Sequence, residues 1–179
     1  AYAAVFKEKS TGKTTLVMAL AAGFSRGYRP FDGTKYEPVK TLYYGKEDEP
    51  GELRTIFEAC GGDPDMLFIH SEVFPLNDDG LQKVKEDIIK TGAGLVVFDA
   101  LAYYMEGLVK DMNSQNDVAP VLRGLSEAAT ETGASVLGLR HTAKNSKDRD
   151  ASDLGLGSSQ IRNTARGQLV LRWHPDFEY

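Results

Sequence analysis

The feature that most constrains this chain is Ser10-Thr11-Gly12-Lys13-Thr14-Thr15, set between a short apolar run and a helix-spaced one. Ala3 to Phe6 reads as a strand. Leu16, Val17, Leu20, Ala21 and Phe24 then recur at helical spacing until Gly27 stops them. A Gly-Lys-Thr turn between strand and helix is the setting of a phosphate-binding loop. Backbone N–H groups at the helix start point at phosphate oxygens, and the helix dipole favours their negative charge. Gly12 lets the backbone come close, Lys13 reaches the β- and γ-phosphates, and the Thr14 hydroxyl is placed to ligate Mg²⁺. Ser10, Thr11 and Thr15 complete the candidate phosphate contacts. The full pattern G-x-x-x-x-G-K-[ST] has its first glycine at position 7, where this chain has Lys7. A substitution there, or residues lost between Phe6 and Ser10, accounts for the difference.

The rest of the chain alternates strand and helix. Thr41 to Tyr44 and Leu67 to Ile69 read as strands. Leu53, Ile56, Phe57 and Cys60 mark a helix face that starts near Pro50 and stops at Gly61-Gly62. Leu81, Val84 and Ile88 mark another. Leu95 to Phe98 is continuously apolar, as a strand buried on both faces requires. Val118, Val121, Leu122 and Leu125 line a helix that ends at Gly133, Val136 to Leu139 is a further buried strand, and Leu169 to Trp173 a late one. The alternation predicts an α/β domain with a largely parallel central sheet flanked by helices. Ligands of such sheets bind beyond the carboxyl ends of the strands. Asp99, which ends the apolar run, therefore falls on the same edge as the phosphate loop, where it is a second candidate for holding Mg²⁺.

Composition narrows the class. With 179 residues, of which 41% are hydrophobic and 26% charged, the chain suits one soluble domain. No apolar run reaches the roughly 18 residues that a membrane span needs. The net charge of −5 argues against a protein coated in positive charge for nucleic acid, though not against a basic loop. Cys60 is the single cysteine, which excludes an internal disulfide and fits a reducing, cytoplasmic compartment; it reads as a small apolar residue on a helix face.

Hydrolysis needs a group that orients the attacking water. Glu47 follows the strand Thr41 to Tyr44 by a few residues, beside Asp48 and Glu49. The residues leave two readings open: a water-orienting carboxylate, or an acidic loop that caps the helix at Pro50. His141, just after the strand Val136 to Leu139, is equally open between a γ-phosphate sensor and an ordinary polar strand end.

Taken in order, these segments resemble the RecA-like ATPases, and specifically the RepA-like hexameric replicative helicases. The resemblance covers nearly the whole chain. It rests on Gly12-Lys13-Thr14-Thr15, on Tyr43-Tyr44-Gly45-Lys46-Glu47-Asp48-Glu49-Pro50 leading to Leu53-Arg54, and on Leu95-Val96-Val97-Phe98-Asp99. His141-Thr142-Ala143-Lys144 follows, and last Gly157-Ser158-Ser159 through Arg162, Ala165 and Arg166. The resemblance implies a RecA-like P-loop NTPase fold over residues 1–179, as one domain that can belong to a longer chain. It implies an ATPase using ATP and Mg²⁺, assembled as a homo-oligomeric ring, a hexamer in the family, and acting on single-stranded DNA in replication. By position, Glu47 would polarise water and His141 would sense the γ-phosphate. Arg166, or in second place Arg162, would reach a neighbouring subunit's nucleotide. The chain departs from the family pattern at Lys7 and at Arg140, where relatives often have a second histidine.

In RecA-like motors the loops after the acid-ending strand and the next strand line a central channel. Here they are about residues 103–116 and 141–157. The second carries Lys144, Lys147 and Arg149, candidates for strand phosphates, among Asp148, Asp150 and Asp153. Tyr103 and Tyr104 could stack on bases, but core or interface packing is the expected role. The rival readings are a RecA-type recombination or repair ATPase forming filaments, a nucleotide-dependent switch with negligible turnover, and a small P-loop kinase.

Overall fold

The computed structural model describes residues 2–6, 12–29, 32–112, 114–140 and 166–171. Six strands, β1 (Tyr2–Phe6), β2 (Lys40–Gly45), β3 (Leu67–His70), β4 (Ala93–Asp99), β5 (Ser135–Leu139) and β6 (Gly167–Val170), form one sheet in the order β3-β2-β4-β5-β1-β6. Every neighbouring pair runs parallel. Four helices connect them: α1 (Lys13–Ser25), α2 (Pro50–Ala59), α3 (Asp78–Thr91) and α4 (Gln115–Thr132). The α/β class and the parallel sheet expected from the sequence are both present. None of the described helices is long and apolar enough to cross a membrane.

Strand alternation sorts the core into two layers. On one face Leu42, Tyr44, Val96, Phe98 and Val136 pack under α3 and α4; on the other Tyr43, Leu95, Val97, Leu137 and Leu139 pack under α1 and α2. Strands covered on both faces must be apolar throughout, and this is the continuous run read at Leu95 to Phe98. Tyr44 stacks on Phe98, its register partner, at 5.1 Å between ring centroids, and Tyr104 meets Phe98 edge-on. Tyr104 is fully buried in this cluster, so core packing is its role.

The helix ends follow their sequence signals. Asn77 caps α3 through Gly80 N–H, and Gly92 ends the helix in the left-handed conformation. Ser114 caps α4, and Gly133 ends it in the same way. Two local readings shift. Cys60 lies just past the last residue of α2 and is half-buried beside the core, because the helix closes at Ala59. The last strand begins at Gly167, two positions before the Leu169 expected, because it takes its register from Ala3 on β1. Trp173 lies outside the described residues.

One half-buried polar knot ties α3 to the sheet. Asp87 accepts hydrogen bonds from Tyr44 and from Lys83, each at 2.8 Å, and His70 Nδ1 lies 3.6 Å away. Burial alone would raise the Asp87 pKa. The hydrogen bonds from Lys83 and Tyr44 and the positive charge of Lys83 outweigh it and hold the carboxyl below its ordinary 3.8. A depressed carboxylate contributes stability above its unfolded value and loses it as the pH falls through the folded one. Asp87→Ala is therefore expected to cost about 1–3 kcal/mol at pH 7 by urea denaturation. The difference from wild type should shrink as the pH drops below 3.8; an equal difference at pH 7 and pH 3 would show that packing, not charge, carries the effect.

Candidate functional site

All six strands point their carboxyl ends at one edge of the sheet, and α1 begins there. Gly12 precedes α1 with φ of 81°, a left-handed conformation that a side chain would strain. The other helices have acidic residues in their first turns: Glu52 in α2, Asp78 and Asp79 in α3, Asp117 in α4. Helix α1 has none, and among the described residues no side chain caps it. Its dipole, unopposed by acidic residues in its own first turn, favours an anion at this end. Lys13, in that first turn, is only 4% exposed.

Asp99 ends β4 directly opposite this turn. Alternation puts it on the same face as Leu95 and Val97, the face that α1 covers. The Thr14 hydroxyl lies 3.4 Å from Asp99 Oδ2 and 3.1 Å from Asp48 Oδ2. Tyr43, on the neighbouring strand, donates its phenol to Asp99 Oδ2 at 2.5 Å. Burial raises the Asp99 pKa; the Tyr43 hydrogen bond and the charge of Lys13 oppose it, while the charges of Glu47 and Asp48 add to it. Asp99 Oδ1 is buried and accepts no hydrogen bond from the described residues. An orphaned buried carboxylate oxygen beside a threonine hydroxyl is a donor set of hard oxygens, which fits Mg²⁺.

A family model described as an AAA domain matches residues 6–147, from the end of β1 to beyond β5. The chain belongs to the AAA domain family. It is thus a P-loop ATPase domain, of a class that uses ATP and Mg²⁺. No curated protein matches the chain.

Within this AAA domain, Glu47 also stands at the carboxyl edge, in the loop between β2 and α2. It is exposed, and the Tyr103 phenol donates a hydrogen bond to its Oε1. That bond, with burial, pushes the Tyr103 pKa up to about 12. Lys46 Nζ sits 4.4 Å from the centre of the Tyr103 ring. Tyr103 belongs to a 3₁₀ turn, Leu101–Tyr104, that follows Asp99. The loop after β4 thus contacts the loop after β2 at the edge where Asp99 ends its strand.

Of the residues singled out from the sequence, Gly12, Lys13, Thr14, Glu47 and Asp99 share this edge, and Thr15, exposed, follows Thr14 in the same turn of α1. Arg166 does not join them. It is exposed and directly precedes β6, at the amino-terminal edge of the parallel sheet. Position 166 thus lies across the sheet from the start of α1. Ser10, Thr11, His141, Arg162, Lys144, Lys147 and Arg149 lie outside the described residues.

Two neighbours of Asp99 escaped the sequence reading. Tyr43 looks like a core residue of an apolar strand, and Asp48 like one acid of an acidic loop. No local signal marks Tyr43; the register of Tyr43 with Val97 puts it on the face of Asp99. Buried Asp99 carries a charge that the nucleotide-free fold compensates only in part. Asp99→Asn should therefore raise the melting temperature of the nucleotide-free protein by about 2–4 °C, the shift that ~1 kcal/mol produces at this size. The same variant should lose the further stabilisation that Mg²⁺ adds to bound nucleotide, read by scanning calorimetry. A lower melting temperature for Asp99→Asn would mean that the carboxylate is net stabilising without its ligand.

Proposed function

We propose that this AAA domain hydrolyses ATP with Mg²⁺ and drives a ring-forming DNA helicase of the RepA-like type. The observation that supports this most is the convergence of Lys13, Thr14, Asp99 and Glu47, from three separate segments, on one edge of the sheet. In this reading the first turn of α1 and Lys13 bind the phosphates, together with Ser10, Thr11, Gly12 and Thr15. Thr14 and Asp99 hold Mg²⁺, which when bound neutralises charge on the transferring phosphoryl group. Glu47 accepts a proton from the attacking water and orients it. His141 contacts the γ-phosphate. The loop with Lys144, Lys147 and Arg149 meets single-stranded DNA, and a ring repeats that weak contact in each subunit.

The position of Arg166 favours assembly. On the far edge from its own nucleotide site, it can act as an arginine finger only toward a neighbouring subunit.

Glu47→Gln removes the proton acceptor while keeping shape. Turnover of ATP is expected to fall by about 10²–10⁴, while nucleotide affinity in an equilibrium titration changes little. Undiminished turnover would remove the assignment of Glu47.

The trans role of Arg166 has its own test. Arg166→Ala subunits should be inactive alone and regain turnover when mixed with Glu47→Gln subunits, which supply the arginine but cannot hydrolyse. Steady-state hydrolysis would be followed with and without single-stranded DNA, which should accelerate the mixture as it does the wild type. Absence of rescue would assign Arg166 to structure. Nucleotide binding with no turnover in the wild type under any of these conditions would favour a switch over a motor.

A further inference from the structure

The two oxygens of Asp99 have different surroundings. Oδ2 accepts the Tyr43 phenol at 2.5 Å and has the Thr14 hydroxyl at 3.4 Å. Oδ1 is buried without a hydrogen bond from the described residues. We propose that Tyr43 is a positioning residue for metal binding: its phenol holds Oδ2 and so turns Oδ1 toward the Mg²⁺ that accompanies the nucleotide. This rests on the reading of Asp99 as the carboxylate on the metal side.

Several features support it. The terminal torsion of an aspartate is soft, with a broad range of angles, so a lone carboxylate at a strand end is poorly aimed. A fixed donor on one oxygen removes that freedom before the ligand arrives. Tyr43 is such a donor. It is 1% exposed, in the middle of β2, and pairs in register with Val97, two residues before Asp99. Its ring therefore runs along the sheet toward the carboxyl edge. The space it uses is left by Gly45, the register partner of Asp99: a Cβ there would stand 2.6 Å from Tyr43 Cε1 and 3.2 Å from the Asp99 carbonyl oxygen. An ionised carboxylate oxygen is an acceptor only, so the phenol proton is the group that can bond it. Its donation also offsets part of the burial that works against an ionised Asp99.

A buried phenol needs a partner in any case, so a role confined to stability must be separated from one that reaches the metal. Tyr44 provides the comparison. It is the next residue on β2, equally buried, and gives its phenol to Asp87 on the opposite face of the sheet.

The test uses Mn²⁺ as a paramagnetic probe, titrated by electron paramagnetic resonance into protein saturated with ADP. In Tyr43→Phe the Mn²⁺ dissociation constant is expected to rise about tenfold or more, the usual loss when a partner of a metal-binding carboxylate is removed. ADP affinity measured in EDTA should stay at the wild-type value. Tyr44→Phe should lower the unfolding free energy comparably yet leave Mn²⁺ affinity as in wild type. Wild-type Mn²⁺ affinity in Tyr43→Phe, or an equal loss in Tyr44→Phe, would overturn the proposal. Asp99→Asn separates the two levels of the argument. If it binds Mn²⁺ as the wild type does, the assignment of Asp99 itself fails, and Tyr43 falls with it. If it loses Mn²⁺ and Tyr43→Phe does not, only the role of Tyr43 is lost.

Discussion

Strand β4 lies between β2 and β5 and is covered on both faces, so alternation fixes the surroundings of every residue from Leu95 to Asp99. Val96 and Phe98 are committed to α3 and α4. Leu95 and Val97 are committed to α1 and α2, and Asp99, next in that series, has to emerge beside the start of α1. A slip of one residue in register would exchange the two sets and bury Asp99 under α4, away from the phosphate turn. The apolar core and the polar site are in this sense one arrangement. The packing that stabilises the sheet is also what aims the carboxylate.

The chemistry of the edge follows from its charges. One buried lysine and a helix start without acidic residues face Asp99, Asp48 and Glu47 across a short gap. The cationic side suits phosphate oxygens, and the acidic side suits a divalent cation or a water to be deprotonated. Burial raises the Asp99 pKa, and the charges of Glu47 and Asp48 add to it. A nucleotide with its metal carries both signs and would balance both. The contact between Tyr103 and Glu47 adds a mechanical link, since it joins the loop after β4 to the candidate catalytic carboxylate.

Much of this was legible in the residues. Gly12-Lys13-Thr14 between a strand and a helix, and an apolar run ending in Asp99, are local patterns whose chemistry depends on neighbours in the chain. The helix boundaries at Pro50 and Gly133 were similarly local. Glu47 stayed open between catalysis and capping because its distance from the phosphate turn depends on which strand lies beside β4. Tyr43 and Tyr44 were indistinguishable as two aromatic residues of one strand. The fold sends one phenol to Asp99 and the other to Asp87, on opposite faces.

The sequence by itself determined the alternation of elements, the parallel α/β class and the phosphate turn, because hydrophobic period, caps and glycine conformations are set within a few residues. Tertiary structure decided what meets at the turn. The order β3-β2-β4-β5-β1-β6 brings positions 14, 43, 48 and 99 together and carries Arg166 to the far edge of the sheet. Strand order is a property of the whole core, fixed by how two helix layers cover one sheet, and no stretch of sequence encodes it alone.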